Sequence, residues 1–138
     1  MDQALINQKL ESLRRCVMRL ESRCPESVEA LAVDLDAQDI LALNLTRAVQ
    51  LCVDIAAHWI AEHHELNSPI TMGQSFEVLA EPGVISRELA EDMRKSVGFR
   101  NIVVHNYEVV DWQVVFAICR FHLDQFRQFA EVFMDPLG

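Results

Sequence analysis

Apolar residues recur at steps of three and four along most of this chain, the spacing of amphipathic helices. In residues 3–23 the stripe is Ile6, Leu10, Leu13, Val17 and Leu20, and Pro25 ends it. Glu26 to Val33 reads as a short helix or turn. The longest pattern covers residues 36–65. There Leu41, Leu45, Ala48, Cys52, Ile55 and Trp59 line one face, while Leu43, Leu51 and Ile60 widen it. That width predicts burial on more than one side. Asn67-Ser68-Pro69 is its stop signal.

Thr71-x-x-Gln74 is a capping box, which predicts a short helix from Met72 to Ala80, and Pro82-Gly83 makes the next turn. Ser86 is placed to cap a helix through Leu89, Met93 and Val97 to about Val104. Asp111 caps a last, single helix carrying Trp112, Val115, Phe116, Cys119, Leu123, Phe126, Ala130 and Phe133. No segment alternates like a strand and no repeat is present. The expected fold is an all-α antiparallel bundle of four main helices plus short ones.

Composition agrees with one domain over residues 1–138: at 51% apolar content the chain can bury a core of its own. No uninterrupted apolar run approaches the ~18 residues needed to span a bilayer. The first residues carry no signal-peptide pattern, so a cytoplasmic protein with no membrane role is expected. Four scattered cysteines (Cys16, Cys24, Cys52 and Cys119) form no C-x-x-C pair and read as free thiols. The net charge of −9 argues against a surface coated in nucleic acid, because such affinity comes from neutralised phosphates. It leaves room for a local cationic cleft. Ten of the twelve basic residues are Arg, whose fork suits bidentate contacts to phosphate.

One polar island interrupts this oily pattern: Gly98-Phe99-Arg100-Asn101-Ile102-Val103-Val104-His105-Asn106-Tyr107. It offers a permanent cation, an amide, an imidazole and a phenol. RNA cleavage by 2′-hydroxyl attack needs a proton acceptor, a proton donor and a cation for the charged phosphorus centre. His105 suits proton transfer and Arg100 suits charge stabilisation. One histidine cannot act as acid and base in one concerted step, but a two-fold dimer bringing two Arg100/His105 pairs together removes that difficulty. Five residues turn a helix by about 500°, so Arg100 and His105 lie about 140° apart on an ideal one. The length of Arg100, or a helix end at Asn106 in the left-handed conformation, would let them converge. Asn101 and His105, four apart, share a face. The competing reading makes Arg100 a surface partner of Glu88, Glu91 or Asp92, and His105-Asn106-Tyr107 an ordinary helix stop.

The island, written R-N-x-x-x-H-x-Y and followed by an acidic cap and a terminal helix, resembles the HepT-like branch of the HEPN superfamily. Asn44 to Ala56 and Ser75 to Ala80 with its following Gly turn resemble that family too. The resemblance implies an all-α homodimer and a metal-independent endoribonuclease, the toxin of a toxin–antitoxin pair, needing no cofactor. It implies as partner a minimal nucleotidyltransferase antitoxin that silences the toxin by attaching AMP to the motif tyrosine, here Tyr107. The catalytic pair maps onto Arg100 and His105, with Asn101 and Asn106 beside them. Arg47 and Asp54 lie two turns apart on the long helix. They are candidates for a role near the cleft or for an ion pair within the molecule.

Two other readings compete. His58, Glu62, His63, His64 and Glu65 invite a metal, but the order is not H-E-x-x-H and no Glu-x-x-His exists for a di-iron bundle. A solvated helix end is the simpler reading, and no metal is expected. The stronger alternative is a non-catalytic helical module that docks or presents substrate to a nucleotidyltransferase.

Overall fold

The computed structural model describes residues 2–63, 68–69 and 71–134. Among these residues the chain forms α1 (Gln3–Arg23), α2 (Val28–Val33), α3 (Leu35–Ala61), α4 (Met72–Ala80), α5 (Arg87–His105), a 3-10 turn (Tyr107–Val109), α6 (Trp112–Phe121) and α7 (Asp124–Phe133). No strand occurs among them. Most boundaries follow local capping. Asp2, Ser27, Asp34 and Ser86 each accept a bond from the backbone N–H three residues on, at 3.0–3.2 Å. Thr71 and Gln74 close the predicted capping box in both directions at 3.2 Å.

α3 is the central element. α1, α4 and α5 pack on it, and α6 and α7 complete the bundle. Leu41, Leu45, Ala48, Val49, Cys52, Ile55 and Ala56 of α3 are all buried; of the residues expected to widen its stripe, Ile60 is buried and Leu51 partly so, whereas Leu43 is exposed. By length and composition α3 could cross a membrane, although no uninterrupted apolar run is that long; more than half of its most apolar window is buried inside the bundle. α3 ends at Ala61, short of the expected residue 65. His64, Glu65 and Asn67 lie outside the described residues.

The single terminal helix expected from periodicity is instead two. Val115 and Cys119 point into the core, but the next slot on that face holds His122. The chain breaks there, His122 turns outward, and Leu123 takes the buried place. Phe126, Phe129 and Phe133 then continue the core on α7. Both halves pack on α1 and α3; α6 also meets α2, and α7 also meets α5. Arg120 fastens α6 to the connection between α1 and α2 by donating to the carbonyls of Pro25 and Glu26 at 3.1 and 3.0 Å.

The four cysteines are free. Burial pushes the thiols of Cys52 and Cys119 up, that of Cys119 to about 12, so both stay protonated and packed as small apolar groups.

Candidate active site

Arg100, Asn101 and His105 all lie on the last two turns of α5, and all three line one groove of about 580 Å³. Its opposite wall is the start of α4, from Thr71 to Gln74 with Glu77. The antiparallel α4–α5 hairpin therefore builds the site. Gly73 and Gly98 help to open it. A side chain at 73 would meet Cγ of Arg94 at 3.1 Å, so the glycine lets Arg94 lie across α4. At Gly98 an added Cβ would meet nothing within 4 Å.

Arg94 is tied down, facing Glu77 at 3.5 Å and Glu91 at 3.7 Å. Arg100 is different. Its Nη1 donates to Oδ1 of Asn101 at 2.9 Å, and no ion pair joins it to a carboxylate among the described residues. Its Nε is buried with no acceptor among them. A buried N–H without a partner is rare in folded proteins and marks a place where an acceptor belongs. With Nη1 held by Asn101, Nε lacks a partner on the Nε–Nη2 side of the fork, the side whose geometry can grip a phosphate through two parallel bonds. Glu88, Glu91 and Asp92 do not neutralise it, so the surface ion-pair reading fails for Arg100.

His105 is the last residue of α5 and exposed. Asn106 caps the helix, its N–H donating to the Ile102 carbonyl at 2.8 Å. Its φ is −152°, not left-handed as expected. The motif converges without that turn, because Arg100, Asn101 and His105 already share the groove. Asn106 does not line it.

Tyr107 turns the other way. Its hydroxyl donates to Oδ1 of Asp39 on α3 at 2.6 Å, and its ring meets Trp112 edge-on at 5.8 Å. Burial first, then the hydrogen bond to Asp39 and its charge, push the phenol from 10.0 up to about 12. Asp39 is the site residue that sequence reasoning missed. It sits 68 positions from Tyr107, among charged residues typical of a helix start, and no spacing signals it.

Arg47 and Asp54 lie apart from this groove, and they do not pair with each other. Asp54 accepts from Gln50 at 3.0 Å and faces Lys9 of α1 at 3.5 Å. Arg47 is exposed and close enough to lower the Cys16 thiol of α1 against the effect of burial. Both residues belong to the face of α3 that meets α1, whereas α4 and α5 form the groove. No group of three or more His, Cys, Asp or Glu side chains is placed to hold a metal among the described residues. His63 stacks on Trp59 at 3.6 Å and its Nδ1 lies 2.6 Å from the Trp59 carbonyl, a structural role at the end of α3. A second groove of about 590 Å³, between α1 and α7, is mainly apolar and holds no histidine, so it offers nothing comparable for proton transfer.

Comparison with known proteins bears on this site. Residues 13–133 match the family model described as ribonuclease HepT-like. Over 132 residues the chain is 33% identical to the mRNA nuclease HepT of Shewanella oneidensis, covering 96% of this chain and 97% of that protein. The fold matches a chain in the crystal structure of a toxin–antitoxin with AMP-PNP at a TM-score of 0.86 and 32% identity, covering 94% of this chain and 96% of that one. It also matches the structure of the tri-AMPylated Shewanella oneidensis HEPN toxin in complex with its MNT antitoxin, at a TM-score of 0.84, 32% identity and 96% of each chain.

Proposed function

The chain belongs to the HepT-like ribonuclease family, and from that premise we propose that it is the ribonuclease toxin of a toxin–antitoxin pair, with Arg100 and His105 as its catalytic groups. One observation carries this reading: a guanidinium with a buried, unpartnered Nε and an imidazole line the same groove. The Nε–Nη2 edge of Arg100 binds the scissile phosphate and stabilises the charge that builds on it. His105 moves the proton, taking it from the 2′-hydroxyl or giving it to the departing 5′-oxygen. The 2′-oxygen bonds to phosphorus, the bond to the 5′-oxygen breaks, and the products are a cyclic phosphate and a free 5′-hydroxyl.

Two histidines complete this scheme when two copies of the chain face one another across a two-fold axis. Exposed apolar side chains beside the motif support such a homodimer. Ile102 is 44% exposed, Val104 47%, Val109 62% and Val114 41%, more apolar surface than a solvated helix end needs. The RNA then crosses the paired grooves. The reaction is metal-independent, and the protein acts in the cytoplasm away from membranes.

The partner is a minimal nucleotidyltransferase antitoxin that transfers AMP to Tyr107, and tri-AMPylation of the Shewanella toxin supports this reading. Tyr107 is the single tyrosine of this chain, two residues past His105. Phosphates and nucleosides added there repel a polyanionic substrate and compete for Arg100.

The test is RNA cleavage in the presence of EDTA by the wild type, Arg100→Ala and His105→Ala, with intact-mass measurement of wild type and Tyr107→Phe after incubation with the nucleotidyltransferase. The expected result is cleavage by the wild type alone and AMP addition lost in Tyr107→Phe. Nucleotidyltransferase binding without cleavage under any condition would instead establish a non-catalytic docking module.

A further inference from the structure

The Tyr107 hydroxyl is already engaged, and its partner is a carboxylate rather than a backbone carbonyl. We propose that Asp39 is the proton acceptor for nucleotidyl transfer to Tyr107, a catalytic role in the modification. This rests on the reading of Tyr107 as the AMP acceptor.

The chemistry requires an acceptor. The phenol oxygen bonds to the α-phosphorus of a nucleoside triphosphate while the bond from that phosphorus to the bridging oxygen breaks. Pyrophosphate leaves with the electron pair, and the phenol proton must go elsewhere. A neutral phenol is a poor nucleophile. With the phenol near 12, only about one molecule in 10⁵ is ionised at pH 7, so the proton has to leave during the attack. The Asp39 oxygen, 2.6 Å away, is where it goes. A carboxylate is a far weaker base than a phenolate at rest. It becomes adequate as the oxygen bonds phosphorus and its proton grows acidic.

The surroundings suit this role. The phenol meets Asp39 from α3 and the Trp112 ring from α6, and no other charged group among the described residues bears on it. The carboxylate is exposed and has no other partner among the described residues, so it needs no rearrangement to take the proton. Tyr107 as a residue is 38% exposed, which leaves it open to a transferase. The backbone of Asp39 lies within a 27-residue helix, so the base is held on a rigid element.

The test compares initial rates of AMP addition from ATP by the cognate nucleotidyltransferase, read by intact mass, for wild type, Asp39→Asn, Asp39→Ala and Tyr107→Phe. Asparagine keeps an oxygen that accepts the phenol's hydrogen bond and removes only the basicity. Asp39→Asn is therefore expected to lose roughly 10²–10⁴-fold in the first addition, about as much as Asp39→Ala. Where further AMP units follow, each attacks from a ribose hydroxyl already in place, so their rates stay near the wild type's. Asp39→Asn samples then show unmodified and fully extended chains with few between them. Because the side chain is exposed on a helix surface, the variants should fold, which a thermal melt checks. A first addition at the wild-type rate in Asp39→Asn overturns the proposal, and a defect confined to Asp39→Ala reduces Asp39 to a hydrogen-bond anchor and overturns it as well. AMP addition to Tyr107→Phe would locate the failure in the acceptor assignment instead.

Discussion

Arg100 offers the sharpest test of the groove, because lysine keeps its charge and discards its shape. The guanidinium has Nη1 tied to Asn101 at 2.9 Å, leaving Nε buried and unpartnered on the edge it shares with Nη2. That edge can give a phosphate two charge-assisted hydrogen bonds, each worth about 1.5–3 kcal/mol. Losing both in Arg100→Ala costs about 3–6 kcal/mol of transition-state stabilisation, and at about 1.36 kcal/mol per tenfold that is roughly 10²–10⁴ in rate. Arg100→Lys retains one donor and a charge. It should lose one bond, roughly 10- to 100-fold. The assay is single-turnover cleavage of a labelled RNA in EDTA, with circular dichroism to confirm folding. A lysine variant within twofold of the wild type would refute the bidentate argument, since a point charge alone would then suffice.

Two further outcomes follow from the same geometry. The phenol of Tyr107 should titrate near 12 in the folded protein rather than near 10, followed by ultraviolet absorbance that a single tyrosine makes unambiguous. Below about pH 10 the proton is bound in both the folded and the unfolded chain; between 10 and 12 only the folded chain keeps it, so this contribution to stability is lost as pH rises through that window. In Asp39→Asn the titration should fall but stay above 10, because burial, the largest cause of the shift, remains. Gly98→Ala should raise stability by about 0.5–1 kcal/mol in urea unfolding, since a helix-interior glycine is replaced where an added Cβ meets nothing. The same methyl enters a groove wall beside Arg100, so cleavage should fall; unchanged cleavage would mean the RNA does not follow this groove.

The helix starts were readable in the chain because capping acts over three residues. Ser86, Thr71 with Gln74, and Asp111 satisfy backbone N–H groups that any helix leaves open, and each does so as its spacing predicted. The R-N-x-x-x-H-x-Y island was readable for a related reason. Chemistry-bearing side chains within eight residues stay close whatever the fold does, and no apolar pattern explains them.

Contacts that span the chain were a different matter. Periodicity alone ran one helix through residues 112–133, because no Gly or Pro interrupts it; the break at His122 lets α6 reach α2 and α7 reach α5 while both stay on α1 and α3. Asp54 does form an ion pair within the molecule, but its partner is Lys9, 45 residues away, because α1 packs on that face. Asp39 meets Tyr107 across 68 residues. Local hydrogen bonds are set by spacing along the backbone, so the sequence alone determined where most helices begin and which residues could react. Helix crossings are set by how side chains interdigitate over the whole core, so only the tertiary structure decided that Arg100 keeps an unpartnered Nε, that His105 shares its groove, and that Tyr107 rests against a carboxylate.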